Sequence, residues 1–428
     1  MKQPQGLFAI LAATLLFAAC GDSSSPGGGA VEPPPDKPDD EITEPPTNDP
    51  GTEPWELVPR ERVAEECGLD PDLLQAADER LGVPWAAIRY GKLCHEFYPD
   101  GPDRPTRTYS ATKTLGAVVT GMVAWETRNL ERTGPGTGPL SDEDRVDHWL
   151  EEFSFNPDAK IAHVLAMVAF NEDLSFGAKV HDYDAYGDRE INRLSDILNT
   201  AIRQDPERLG ANLEEFTQRY LFEKLGMRNS TWSDGEPDKI FGVSWHATVR
   251  DMARLGTMIQ NGGMWNGERL LDAEWIYRMI HPAFEDANTS YGYLTWLESN
   301  SNYNFGGILG LPKFQVPFDP CTPAAIHKSF PHGVSAAPDC NYEEPWTCEQ
   351  QYDVGVWAAN GAGGQLIIGQ PGLDLVLVGK QLGSSAFPAT LWGPMRPSLV
   401  AEDPRFQGDE AAFCAAYGAA EYAPAIDP

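Results

Sequence analysis

Thr108-Tyr109-Ser110-Ala111-Thr112-Lys113 runs directly into Thr114-Leu115-Gly116-Ala117-Val118-Val119-Thr120-Gly121-Met122-Val123-Ala124-Trp125. The second half is small and apolar and lacks proline, so it predicts a buried helix. The first half opens that helix with a Ser-x-x-Lys spacing. Residues three apart share one helix face, so the Lys113 amine can lie beside the Ser110 hydroxyl. A serine hydroxyl becomes a useful nucleophile only when a base takes its proton. A helix N-terminus also favours developing negative charge. The plainer reading is a helix cap, Ser110, with a solvated lysine. Ser-x-x-Lys recurs by chance, so the rest of the chain has to decide.

The flanking composition sets bounds. Asp and Glu number 64 against 32 Lys and Arg, a formal charge of -32 over 428 residues. With a pI near 4.5, that balance argues against binding nucleic acid or an anionic membrane surface through charge. At the N-terminus, Lys2 precedes the apolar run Leu7 to Phe17, which is too short to span a bilayer comfortably. The run ends in Phe17-Ala18-Ala19-Cys20, as in a bacterial lipoprotein signal with Cys20 lipidated; an ordinary secretory signal is the alternative. Residues 1–20 therefore read as a signal. Residues 21–55, rich in Ser, Gly, Pro, Asp and Glu, read as a disordered acidic tether. The expectation is an exported protein, facing the periplasm or cell surface and held to the membrane through that lipid alone. Six further cysteines, Cys67, Cys94, Cys321, Cys340, Cys348 and Cys414, suit disulfides in an oxidising compartment, and sequence cannot choose their pairing. No Cys/His cluster has zinc-ligand spacing, so no metal is expected.

Taken in order, residues 67–81 predict a helix with Asp70 or Asp72 near its start. Residues 83–98 predict two strands joined at Tyr90-Gly91-Lys92. Helices are expected over 141–153, with Ser141 as N-cap, and over 158–169, with His163 packed or capping. The acidic cluster Ser141-Asp142-Glu143-Asp144 reads as a helix start rather than a cation site. Ile191, Leu194, Ile197, Leu198 and Ile202 keep a helical period, and further helices are expected over 213–224, 247–260 and 272–280. Strands are expected over 291–297, 354–360, 365–368 and 373–378, with a closing helix over 409–417. Strands at both ends with helices between predict an α/β (α+β) fold. It would be a three-layer sandwich whose antiparallel sheet is built from both chain ends, with an inserted helical region. The domain would span 56–428, with the sheet region at about 56–110 and 285–428 and the helical region at about 111–284.

With these pieces in order, the chain resembles the serine β-lactamase and penicillin-binding-protein-like hydrolases. It is most similar to the branch of class C β-lactamases, esterases and 6-aminohexanoate-oligomer hydrolases. Tyr109-Ser110-Ala111-Thr112-Lys113 resembles the nucleophile motif, and Tyr186-Gly187-Asp188 resembles the Tyr-x-Asn motif. Residues 248–256 resemble a structural helix of the family. Trp357-Ala358-Ala359-Asn360-Gly361-Ala362-Gly363-Gly364-Gln365 sits where Lys-Thr-Gly or His-x-Gly is expected. The resemblance implies that Ser110 attacks an acyl carbonyl and that Lys113 and Tyr186 carry protons. It implies an oxyanion hole from the N–H groups of Ser110 and Ala362, substrate contacts at Asp188, Asn360 and Gly361, and no cofactor. Tyr183 is a rival to Tyr186, and Tyr186 is preferred because the apolar helix period follows it directly.

Two departures narrow the expectation. Asp188 replaces the common Asn and, when ionised, accepts hydrogen bonds without donating any. Ala359 stands where a Lys or His usually helps hold a substrate carboxylate. An ester, amide or peptide hydrolase acting on a small-molecule substrate is therefore expected ahead of a β-lactamase or D,D-peptidase. A binding protein that kept the fold and lost the chemistry is the third reading. Trp245, Trp265, Trp296, Tyr303 and Phe305 are candidates for an acyl-pocket lining, or are simply core.

Overall fold

The computed structural model describes residues 49–154, 156–170, 174, 187–232, 240–284, 287, 291–297, 357–370, 374–383, 388–395 and 398–399. In chain order these form helices α1 (Val63–Cys67) and α2 (Pro71–Leu81), strands β1 (Trp85–Arg89), β2 (Lys92–Phe97) and β3 (Thr106–Arg107), and helix α3 (Thr112–Thr127). Helices α4 (Ile161–Leu165), α5 (Gly187–Ile202), α6 (Pro206–Leu209), α7 (Leu213–Thr217) and α8 (Glu223–Leu225) follow. Next come β4 (Thr231–Trp232), α9 (Ile240–Val243), β5 (Trp245–Ala247), α10 (Val249–Gln260), β6 (Met264–Trp265), β7 (Glu268–Arg269) and α11 (Ala273–Ile280). The C-terminal part supplies β8 (Trp296–Leu297), β9 (Trp357–Gly361), β10 (Gln365–Gln370), β11 (Leu375–Gly379) and α12 (Pro388–Met395).

Six strands form one antiparallel sheet in the order β2-β1-β11-β10-β9-β8, so both chain ends build it. Strands β1, β10 and β11 are apolar almost without interruption, as strands covered on both faces must be. Alternation divides their side chains between two cores. Ala86, Ile88, Ile367, Val376 and Val378 join the core with α3 and α10. Ala87, Leu366, Ile368, Leu375 and Leu377 join the core with α2 and α12. These are the three layers that the sequence predicts.

The best-marked helices form where expected. Asp70 caps α2 by accepting from the N–H groups of Asp72 (2.8 Å) and Leu73 (3.1 Å), with Pro71 at the first helical position. Ile191, Leu194, Ile197, Leu198 and Ile202 are all buried along α5. Residues 213–225 stay helical through a π turn at Gln218–Phe222 and stop at Gly226, whose φ is +68°.

Three expectations are corrected. Residues 141–153 hold only a short 3-10 turn, Val146–His148. The Asp144 carboxylate accepts from Ser141 N (3.1 Å) and Trp149 Nε1 (2.9 Å), which closes a turn in competition with a helix. Residues 158–169 are helical only over Ile161–Leu165, where His163 Nδ1 accepts from Lys160 N (3.0 Å) in the capping role and Met167 turns the chain with φ +60°. In residues 291–297 only Trp296 and Leu297 pair with β9, because Leu294 takes φ +47°. Residues 409–417 lie outside the described residues.

Residues 49–55, the end of the stretch read as a tether, pack on the domain. Gly51 C=O accepts from Arg254 Nη1 (2.7 Å) and Trp265 Nε1 (3.2 Å), and Trp55 is buried edge-on to Trp265. Contacts divide the chain into Met1–Glu44 and Pro45–Pro428, and every described residue lies in the second unit.

Cys67, the last residue of α1, is bonded to Cys94 on β2 across 27 residues. Cys321, Cys340, Cys348 and Cys414 lie outside the described residues. Closing a loop of that length removes about 3–4 kcal/mol of unfolded-chain entropy. The double substitution Cys67→Ser, Cys94→Ser is expected to lower urea-unfolding stability by roughly that amount. An unchanged midpoint and slope would show that this bond contributes nothing.

Candidate active site

The turn that carries Ser110 is shaped by local sequence and held by distant backbone. Tyr109–Ala111 form a 3-10 turn that leads straight into α3. Tyr109 has φ +50°, uncommon for a bulky residue, and is 41% exposed. Strain of this kind persists only where the surroundings over-determine it. Here the surroundings are a clamp on β5. Thr108 N donates to Trp245 C=O (2.8 Å), and so does Thr108 Oγ1 (3.1 Å). Trp245 N in turn donates to Thr112 Oγ1 (3.2 Å), which lies 3.2 Å from Thr108 Oγ1. The threonines on either side of Ser110 therefore grip both ends of one residue.

Inside that clamp, Lys113 Nζ donates to Ser110 Oγ at 3.1 Å. Lys113 is buried at 7% exposure, while Ser110 is partly exposed. Nζ also approaches the carbonyl of Gly242 at 3.4 Å. The predicted pair is thus in contact, on a helix buried along nearly its whole length. The packing around α3 is close: a Cβ on Gly116 would lie 2.5 Å from the Phe241 ring.

The second wall is β9. A Cβ on Gly361 would sit 1.9 Å from Thr108 C=O and 3.1 Å from Ala111 N. Only glycine lets the strand come this close to the nucleophile turn. The Gly361–Gly364 turn is closed by Gly364 N donating to Gly361 C=O at 3.1 Å, and Ala362 is exposed in it. Ala359 is fully buried opposite Ile367 in the core shared with α3. Asn360, half-buried, pairs with Leu366, whose side chain belongs to the other core. The structure brings Ser110, Lys113 and Gly361 together, with Ala362 next in the turn, and sets Asn360 on the alternate face of β9.

A buried cation ties this corner to the main sheet. Lys380, just past β11, donates from Nζ to Ala247 C=O (2.7 Å) and Arg104 C=O (2.9 Å). Burial pulls its pKa down, and Asp103 nearby opposes that. In β5's surroundings, burial also raises the Asp251 carboxyl, opposed by hydrogen bonds from Thr248 and Ser230.

Helix α5 starts at Gly187, immediately after Tyr186. Tyr186, Tyr183, Tyr303, Phe305 and Cys20 lie outside the described residues, as does the side chain of Asp188. Trp245 and Trp265 are core residues, not a rim lining, and Trp296 is half-buried. Among the described residues no group of three or more His, Cys, Asp or Glu could hold a metal ion. A cavity of about 610 Å³ beside Asn212, Gln218, Phe222 and Trp232 is not lined by Ser110 or Lys113. Sequence reasoning missed the roles of Thr108 and Thr112, although both stand in the quoted motif. It also missed Gly242, whose contribution is a backbone carbonyl and leaves no trace in residue type.

No protein-family model matches the chain. A stretch of 335 residues is 24% identical to the 6-aminohexanoate-dimer hydrolase of Paenarthrobacter ureafaciens, covering 65% of this chain and 79% of that one. Among solved structures, a protein of Bacteroides dorei assigned as a β-lactamase aligns over 77% of this chain and 97% of its own, at 14% identity and a TM-score of 0.48. EstCE1, a hydrolase with promiscuous acyltransferase activity, aligns over 79% and 99%, at 12% identity and a TM-score of 0.47.

Gly361→Ala is expected to force β9 away from Thr108, costing about 1–3 kcal/mol of stability and at least tenfold in turnover. Ala362→Gly, in the exposed part of the same turn, is expected to keep stability within roughly 1 kcal/mol of the parent. Thermal melts and steady-state rates on both variants check this; a fully active Gly361→Ala would contradict the close approach.

Proposed function

We propose that the chain is a serine hydrolase of the β-lactamase and penicillin-binding-protein-like kind, which cleaves a carboxylic ester or amide through an acyl-enzyme on Ser110. The observation that carries this reading is the 3.1 Å contact between Lys113 Nζ and Ser110 Oγ at the start of a buried helix. Ser110 Oγ attacks the substrate carbonyl carbon, and its proton passes to the Lys113 amine. The tetrahedral oxyanion receives the N–H groups of Ser110 and Ala362. Among the described residues, no turn or loop hydrogen bond uses the Ala362 N–H, which lies in the exposed turn after β9. Tyr186 relays the proton to the leaving oxygen or nitrogen, and the C–O or C–N bond breaks. Water then attacks the acyl-enzyme and gives up a proton, which reaches the departing Ser110 oxygen through the same groups, and the free acid leaves.

Ala359 supports an ester or amide over a β-lactam. Its side chain is a methyl group buried among apolar neighbours, so β9 offers no cation there for a substrate carboxylate. The curated relative is named for hydrolysis of the 6-aminohexanoate dimer, and short linear amides of that kind belong among the first substrates to try. Asp188 and Gly361 are proposed to border the substrate, whereas Asn360 lies on the alternate face of β9 and is not. Export, with a lipid on Cys20 as the anchor, is supported by the Cys67–Cys94 bond, which suits an oxidising compartment.

A fluorophosphonate probe is expected to add once per chain, on Ser110, and Ser110→Ala is expected to abolish both labelling and turnover. Labelling at another residue, or turnover that survives Ser110→Ala, would refute the assignment. In a panel of aryl esters, linear amides and nitrocefin, hydrolysis of esters or amides is expected to exceed that of nitrocefin by at least tenfold. The reverse order would favour a β-lactamase.

A further inference from the structure

We propose that Asn192 is a positioning residue for the Ser110–Lys113 pair, an inference that rests on that pair being the reacting one. Asn192 lies on α5, the helix that begins right after Tyr186, and is buried at 7% exposure. Its Oδ1 accepts from Phe241 N at 3.0 Å and from Gly242 N at 3.1 Å. These are N–H groups of the first turn of α9, which have no partner within their own helix. One side-chain oxygen from a neighbouring helix satisfies both and fixes where the 241–242 backbone sits.

That backbone faces the nucleophile. Gly242 C=O is an acceptor for Lys113 Nζ at 3.4 Å, beside Ser110 Oγ at 3.1 Å. A lysine side chain has four rotatable bonds, and an amine held by a single partner can swing. The Ser110 hydroxyl and the Gly242 carbonyl, on different elements, both help to define where Nζ rests. The Phe241 ring meanwhile lies against Gly116, one turn further along α3, so a shift of α9 is transmitted to that helix as well. The same helix that carries the Tyr186 motif at its start thus sets one contact of Lys113.

Positioning of this kind is read in the rate of chemistry, because misplacing a reacting group by about 1 Å can cost on the order of 100-fold. The test compares the wild-type chain with Asn192→Ala, Asn192→Ser and Asn192→Asp. Two quantities are measured: the rate constant of fluorophosphonate labelling and its final stoichiometry. Ester hydrolysis gives kcat and KM for the same proteins.

Asn192→Ala is expected to label at least tenfold more slowly while still reaching about one probe per folded chain. Its kcat is expected to fall by a similar factor, with KM within about twofold of wild type. Asn192→Asp, which keeps the acceptor oxygen, is expected to retain at least a third of the wild-type labelling rate. A merely structural asparagine would instead lower the labelled fraction and the melting temperature and leave the rate per labelled chain unchanged. Wild-type labelling rates in Asn192→Ala would overturn the proposal, as would an equal loss in Asn192→Asp. Should Asn192→Ala fail to fold, Asn192→Ser, whose shorter side chain cannot span both N–H groups, is read by the same two outcomes. If wild type itself fails to label at Ser110, the acyl-enzyme reading is what fails, and the Asn192 proposal falls with it.

Discussion

The approach of β9 to the Thr108 carbonyl is the constraint on which the rest of the structure depends. At Gly361 there is no room for even a methyl group. The contact joins a turn at residue 108 to a strand at residue 361, and neither can be placed until the sheet exists. That sheet needs β1 and β2 from before the nucleophile and β9 to β11 from far beyond it. The helical region between them is therefore closed into a loop whose ends meet at the site. Such long-range pairing makes the site one of the last features a folding chain can complete. It also means that a displacement of β9 acts on the Ser110 turn directly.

Around Ser110, among the described residues, backbone groups do most of the holding. Trp245 contributes its N–H and C=O to the two threonines, Gly242 contributes a carbonyl to Lys113, and Gly361 contributes the absence of a side chain. The chain as a whole carries a charge of -32, yet the Lys113 amine beside Ser110 is buried at the start of α3. Lys380 shows the same economy one layer away, with a buried amine satisfied by two carbonyls. Buried amines paired in this way avoid the full cost of an unsatisfied charge.

Much of this was legible in the sequence, for identifiable reasons. The central strands are apolar almost throughout, and that pattern survives without context. The period from Ile191 to Ile202 and the Asp70-Pro71 start of α2 are equally local. The contact between Ser110 and Lys113 was legible because a helical turn brings residues three apart together. The failures came where side chains compete for backbone. Asp144 closed a turn in a stretch that looked like a helix start, and Leu294 and Met167 took left-handed conformations that no propensity predicts. Trp245 was ambiguous between rim and core because a large aromatic suits both. The Gly242 carbonyl could not have been read at all, since any residue would supply one.

The central claim is that Ser110 carries the acyl group of an ester or amide during turnover. Rapid-quench mass spectrometry of the intact protein with a chromogenic short-chain ester tests it most directly. The account predicts a burst of about one leaving group per chain, together with an acyl mass increment that maps to the peptide containing Ser110 and disappears as substrate is exhausted. Turnover with no increment on that peptide under conditions where deacylation is slowed, or an increment that persists in Ser110→Ala, would contradict it.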